Sequence, residues 1–151
     1  MNEEDTLGPQ LALELQHRMV SLVRAFGLHQ PDRTPCGQPI AVTEAHALIE
    51  LNQQAPLSQH ELARRLRLEK STVSRLVAQM RARGWVECSR DRADRRIVHV
   101  LLSETGREIA AQVDDARRAK FDQLFAAMSS NERNEVLHAL SILVEALNSR
   151  D

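Results

Sequence analysis

Two short stretches of this sequence concentrate side chains able to grip an anion. Residues 89–96 read SRDRADRR, four arginines and two aspartates in eight positions, and the alternating apolar run IVHVLL follows at once. Guanidinium groups present planar forks of donors that match phosphate oxygens, and a narrow groove in a nucleic acid offers them enhanced negative potential. Arg92, Arg95 and Arg96 therefore have an electrostatic reason to sit together. The acids among them serve the bases. Asp94 is close enough in sequence to hold a neighbouring guanidinium in a fixed fork, which limits the rotamer entropy lost when that arginine docks, while Asp91 suits a turn through its side-chain oxygen.

The second stretch is KSTVSRLVAQM, residues 70–80. Val73, Leu76, Val77 and Met80 fall at helical spacing on one apolar stripe. The opposite arc carries Ser71, Thr72, Arg75, Ala78 and Gln79, with Ser74 on its flank. Hydroxyls and the open amides of a helix N-terminus hold phosphates, while Arg and Gln reach base edges in bidentate fashion. Lys70 at the start of this helix and Ser58 at the start of the preceding one extend the same candidate set for binding double-stranded DNA. Charge agrees with this. From Arg64 to Arg96 there are eleven Lys or Arg against four acids, whereas the rest of the chain holds nine basic and seventeen acidic residues and the net charge is −1. A basic block in an acidic protein is the footprint of polyanion binding; a merely solvated charged face is the alternative.

A third set is sparser. Cys36, in a loop, and His46, on the helix after it, are candidates for sensing an effector, with Glu44, Glu50 and His17 as further oxygen and nitrogen donors. Such ligands suit Zn²⁺ but lack diagnostic spacing, so Cys36 is open to three readings: metal ligand, redox switch or inert residue. Cys88 lies in a strand and reads as packing; neither cysteine belongs to a CxxC pair.

These residues must be positioned by elements the sequence also announces. Leu11, Leu15, Met19, Leu22, Val23 and Phe26 give an amphipathic first helix ended by Gly27, and three prolines between Leu28 and Pro39 make a loop. Thr43 is the expected cap of a second helix whose inner face is Ala47, Leu48 and Leu51. Ser58 and Glu61 read as a capping box for a third, with Leu62, Ala63 and Leu66 inward. A tight connection at Arg67 to Glu69 then makes a helix-turn-helix with residues 70–83, and Gly84 stops it. After Gly84 the period becomes two. WVEC and IVHVLL form a hairpin whose basic tip is the wing of a winged helix. Two long helices follow, the second opened by a Ser129–Glu132 box and carrying the stripe Val136, Leu137, Leu140, Leu143, Val144 and Leu147. Such a stripe buries itself either within the monomer or on a second copy.

The fold class is therefore mainly α with a small β-hairpin wing, a winged helix-turn-helix at about residues 41–103 flanked by dimerisation helices at about 1–40 and 104–151. With 42% hydrophobic residues in 151, the chain can bury one core. No apolar run approaches the roughly 20 residues of a membrane span, and the polar N-terminus is unlike a signal peptide, so a cytoplasmic protein without membrane attachment is expected. No Gly-rich phosphate loop, HExxH or nucleophile elbow occurs. An enzyme is not expected, nor is a cofactor. The rival class is a winged-helix interaction module without specific DNA binding.

From Val42 to Gly106 the sequence resembles the MarR family of bacterial transcriptional regulators: an ELA helix, KSTVSRLV, RGWVE, a D-x-x-D-R-R wing and LSETG, where the family usually has Thr in place of Ser103. The resemblance implies a homodimeric DNA-binding protein, commonly a repressor, that holds a palindromic operator and is released by a small ligand, oxidation or metal. It puts Ser71, Thr72, Ser74 and Arg75 at the major groove and Arg95 or Arg96, supported by Asp94, in the minor groove. It also implies a small aromatic or phenolic effector, for which this chain has few rings to offer: Trp85, Phe26, Phe121 and Phe125.

Overall fold

The computed structural model describes residues 3–150, with side chains from Leu7 onward. The chain divides into two compact units, residues 1–114 and 115–151. Its elements run α1 (Glu3–Phe26), α2 (Val42–Gln53), β1 (Leu57–Ser58), α3 (Gln59–Leu66), α4 (Lys70–Ala82), β2 (Val86–Arg90), β3 (Val98–Leu102), α5 (Glu104–Ala126) and α6 (Ser130–Asn148).

The core of the first unit is built by the stripes that periodicity marks. Val73, Leu76, Val77 and Met80 of α4 are buried against Ala47, Leu48 and Leu51 of α2 and Leu62 and Ala63 of α3. Leu57, Val86, Val100 and Leu102 close it from the sheet, and Ala110 and Val113 from the first turns of α5. Each such aliphatic side chain contributes about 1.5 to 3 kcal/mol by leaving water. The sheet is antiparallel in the order β1–β3–β2, with Cys88 opposite Val100 and Ser89 opposite His99.

Three features depart from sequence expectation. α1 begins at Glu3 and runs through Pro9, well before its first periodic leucine, Leu11. β1 is a two-residue strand that pairs Leu57 with Val100 and Ser58 with His99. Thr43 does not cap α2: extended Ala41 precedes the helix, which has already begun at Val42, and no side chain caps it.

Helix ends follow side-chain and glycine chemistry. Ser58 Oγ accepts the Glu61 N–H at 3.0 Å, and Ser129 and Glu132 form both bonds of a capping box on α6. The Glu132 carboxyl is held below its ordinary range by the Ser129 amide and hydroxyl. α4 is stopped by Gly84 just past its C-terminal cap, where a φ of +75° suits glycine, with the Trp85 N–H returning to Met80 O at 2.9 Å. The α3–α4 turn uses the same geometry without glycine. Arg67 is left-handed (φ 54°, ψ 45°), and the Leu68 N–H bonds Ala63 O at 3.0 Å.

The junction after α4 is tightly built. Glu44 of α2, 5% exposed, accepts from Arg83 Nη1 at 2.9 Å, and Arg83 lies 4.7 Å over the Trp85 ring. The Trp85 carbonyl in turn accepts the Ser103 N–H at 3.0 Å. Ser103 Oγ bonds Gly84 O and receives the Gly106 N–H at 3.0 Å, capping α5.

In the second unit, Arg133 Nε donates to Phe125 O at 2.7 Å and its guanidinium lies 5.7 Å from the Phe125 ring centre, tying the start of α6 to the end of α5. None of the residues of α6 is buried: Leu137, Leu140, Val144 and Leu147 are 45–61% exposed. α1 likewise leaves Leu11, Leu15, Met19 and Leu22 exposed.

Candidate nucleic-acid interface

Burying Val73, Leu76, Val77 and Met80 forces the other arc of α4 outward. Ser71, Ser74, Arg75, Ala78 and Gln79 are exposed and Thr72 is half-buried. The helix presents two flanks. On one, Thr72, Arg75 and Gln79 line a shallow recess with Thr43, which has this place instead of the expected cap. On the other, Ser74, Ala78 and Arg81 face Cys88, Ser89, Arg90 and Val98 of the wing across an open groove of about 800 Å³, with Gln59 at its edge.

A third recess, of about 390 Å³, is lined by Ser58, Gln59 and His60 at the start of α3, Lys70 at the start of α4, and Arg96, Ile97 and Val98 of the wing. It brings together Ser58, Lys70 and Arg96, which are far apart in sequence. Ser58 already uses its oxygen as a helix cap, leaving its hydroxyl hydrogen to donate outward.

The wing tip shows what the aspartates do. Asp94 holds Arg96 in a fork, Nε to Oδ1 at 3.0 Å and Nη2 to Oδ2 at 3.1 Å, and its Oδ1 also accepts the Arg96 N–H at 3.0 Å. Of the two candidate arginines, Arg96 is thus the supported one. Asp91 Oδ2 accepts the N–H groups of Ala93 and Asp94, both at 2.9 Å, which makes the turn. His99 Nε2 lies 3.0 Å from Asp91 Oδ1, and Arg90 Nη1 donates to Arg95 O at 2.8 Å. The loop is closed at its base by the Asp91 N–H on Ile97 O at 2.9 Å and the Ile97 N–H on Asp94 O at 3.0 Å.

Electrostatics follow from these bonds. The Asp94 and Ala93 amides and His99 hold the Asp91 carboxyl below its ordinary value. The Arg96 guanidinium and amide do the same for Asp94, which in turn raises Arg96. Both acids are ionised at neutral pH, and Arg92, Arg95 and Arg96 remain exposed. Burial pushes the Cys88 thiol up, against the pull of Arg81.

Sequence reasoning missed Arg81, Arg90, Gln59 and His99 as site residues, and it considered Glu44 as a ligand where the structure makes it the partner of Arg83. Glu44 carried a signal, lying three and four positions before Ala47 and Leu48 and hence on the inner face of α2. The others need the hairpin register and had none.

The sensor candidates lie on neighbouring elements. Cys36 is half-buried in a loop held by the Thr34 N–H on Gln38 O and the Gly37 N–H on Thr34 O, both 2.9 Å, and His46 is exposed on α2. Glu44, considered with them, is engaged by Arg83 instead. Among the described residues, no three His, Cys, Asp or Glu side chains gather as a metal site would require. Among the same residues, no helix is long and apolar enough to cross a membrane.

Residues 39–97 match the model of the MarR family. The chain is 30% identical over 101 residues to the transcriptional repressor MprA of Escherichia coli K12, an alignment covering 66% of this chain and 57% of MprA's length. Its fold matches FabT of Streptococcus pneumoniae, solved in complex with DNA, at 19% identity and a TM-score of 0.69, covering 99% of this chain and all of that one (100%). It also matches BpsR of Bordetella bronchiseptica, whose DNA binding is regulated by 6-hydroxynicotinic acid, at 20% identity and a TM-score of 0.68, covering 89% and 98%. MprA is a transcriptional repressor by name, residues 39–97 carry this chain's match to the MarR family, and the two solved neighbours share its fold.

Proposed function

We propose that this chain is a cytoplasmic, homodimeric repressor that binds a palindromic operator in double-stranded DNA and is released by a small organic effector. The observation that carries the reading is that donor groups from α3, α4 and the wing share adjoining recesses: Ser74 and Arg81 of α4 face the wing strands across one groove, and Ser58, Lys70 and the Asp94-held Arg96 line the next, with Gln59 and Val98 common to both. In this reading Arg75 and Gln79 contact base edges in the major groove, Ser58, Lys70, Ser71, Thr72 and Ser74 hold phosphates, and Arg92, Arg95 and Arg96 follow the minor groove.

Dimerisation is supported by the apolar side chains that α6 and α1 leave exposed, which a second copy of the same elements would cover around a two-fold axis. Residues 1–40 and 104–151 would then join the protomers and residues 41–103 read DNA, with half-sites about 34 Å apart. A small organic effector is favoured over a metal because the candidate metal ligands do not gather.

The test is a salt-titrated binding assay of the full-length protein on DNA from upstream of its own coding sequence, against unrelated DNA of equal length. Tight, selective binding whose log–log salt slope is about −0.9 per phosphate contacted supports the regulator. Equal and weak binding to both DNAs overturns it and favours an interaction module.

A further inference from the structure

We propose that His99 is a positioning residue for the wing arginines, a role that takes its functional meaning from the DNA-binding reading above. The geometry is a relay of three links among four side chains. His99 Nε2 meets Asp91 Oδ1 at 3.0 Å; Asp91 Oδ2 takes the Ala93 and Asp94 N–H groups at 2.9 Å; and Asp94 grips Arg96 through both of its oxygens.

A carboxylate only accepts, so Nε2 carries the proton and donates it to Asp91. His99 sits on β3, paired with Ser58 on one side and Ser89 on the other. Its backbone is therefore fixed in the middle strand of the sheet. The ring is the one side-chain bond among the described residues that ties Asp91, on the loop, to this strand. The remaining Asp91 bonds are internal to the loop, as is the Asp94–Arg96 fork, so without His99 the tip keeps its own shape but loses a brace to the sheet. The direction in which Arg96 points is then set by the backbone bonds at the loop base and by the Arg90–Arg95 bond, with no side-chain link from Asp91 to the middle strand.

The test uses the full-length protein with His99→Leu, which removes the donor at similar bulk, and His99→Gln, whose amide N–H can still donate to Asp91. In the DNA-free protein, NMR follows solvent exchange of the Arg96 Nε–H and of the Ala93 and Asp94 amides. Exchange should be severalfold faster in His99→Leu and return toward wild type in His99→Gln. Affinity for the upstream DNA should fall about threefold to tenfold in His99→Leu and recover in His99→Gln. Unchanged exchange in His99→Leu, or no recovery in His99→Gln, overturns the assignment. Should wild-type protein show no DNA preference, the DNA-binding reading fails, while the exchange result still decides whether His99 braces the arginines.

Discussion

Replacing Gly106 by alanine should destabilise the first unit strongly, although the same change strengthens an ordinary helix by up to about 1 kcal/mol. A Cβ built on Gly106 would stand 1.9 Å from the Trp85 carbonyl oxygen and 2.9 Å from its carbon. Carbon–oxygen contacts settle near 3.3 to 3.6 Å, so the two backbones would have to separate by roughly 1.5 Å. Neither is free to move. Trp85 is held through its N–H to Met80 O and through its carbonyl to the Ser103 N–H, while Gly106 is held by the Ser103 cap. Overpacking of this kind costs about 1 to 3 kcal/mol, and losing the cap and the Trp85–Ser103 bond adds about 1 kcal/mol each. After the helical gain is returned, the net loss is about 3 kcal/mol, a large part of the 5 to 15 kcal/mol a domain commonly has. The single tryptophan, Trp85, is at the site and reports unfolding by fluorescence. With a urea slope of about 1.5 kcal/mol per molar, the midpoint should fall by about 2 M. Gly8→Ala on α1, with nothing within 4 Å of the added carbon, should not lower it. A midpoint for Gly106→Ala within about 0.3 M of wild type would show that the α5–Trp85 contact does not constrain the fold.

Further predictions concern the wing, the buried pair and the apolar faces. Arg96→Ala should weaken specific DNA binding by about 1 to 3 kcal/mol and shallow the salt slope by about one phosphate while leaving circular dichroism unchanged; unchanged affinity would remove the wing from the interface. Arg83→Ala should cost more stability than Glu44→Gln, about 3 kcal/mol against about 1, because it leaves a buried carboxylate without its cation, whereas half-exposed Arg83 can return to water; equal melting temperatures for the two variants would refute that asymmetry. Asp91 and Asp94 have depressed folded-state values, so their contribution to wing order is complete above the ordinary carboxylate value near 4 and is lost as pH falls through the lowered ones; amide exchange at Ala93 and Asp94 should accelerate only on acidification, and faster exchange at alkaline pH beyond base catalysis would reverse the sign. Leu140→Glu on α6 should weaken the proposed self-association by at least about tenfold in sedimentation, since a carboxylate would be desolvated in the joint; an unaltered profile would move the proposed interface off α6.

Where physics is local, the sequence was readable. The stripe of α4, the Ser58 and Ser129 caps, Gly84 as a stop and the Asp91 turn all depend on residues within a few positions of one another. The Asp94–Arg96 fork belongs here too, though choosing Arg96 over Arg95 took the bonds the loop actually makes. What escaped was non-local. β1 has two residues and exists only because β3 offers it a partner, and propensity in so short a piece is silent. Glu44 suggested a ligand by its chemistry, yet its partner Arg83 lies 39 positions away and no pattern links them. His99 falls in an alternating apolar run where a polar residue reads as mere surface; only the register that sets Ser89 against it brings Asp91 within reach.

The wing's internal bonding bears on the speed and heat of any encounter. A loop already closed by Asp91, Asp94 and the Arg90–Arg95 bond has little left to order when it meets a polyanion. Docking of this segment is then limited by diffusion and orientation, with long-range charge raising the association rate, and no slow folding step intervenes. Its calorimetric trace should likewise lack the large negative heat-capacity change of a segment that folds as it binds. Substitutions that open the loop would add that missing term, changing the temperature dependence of binding as well as its strength.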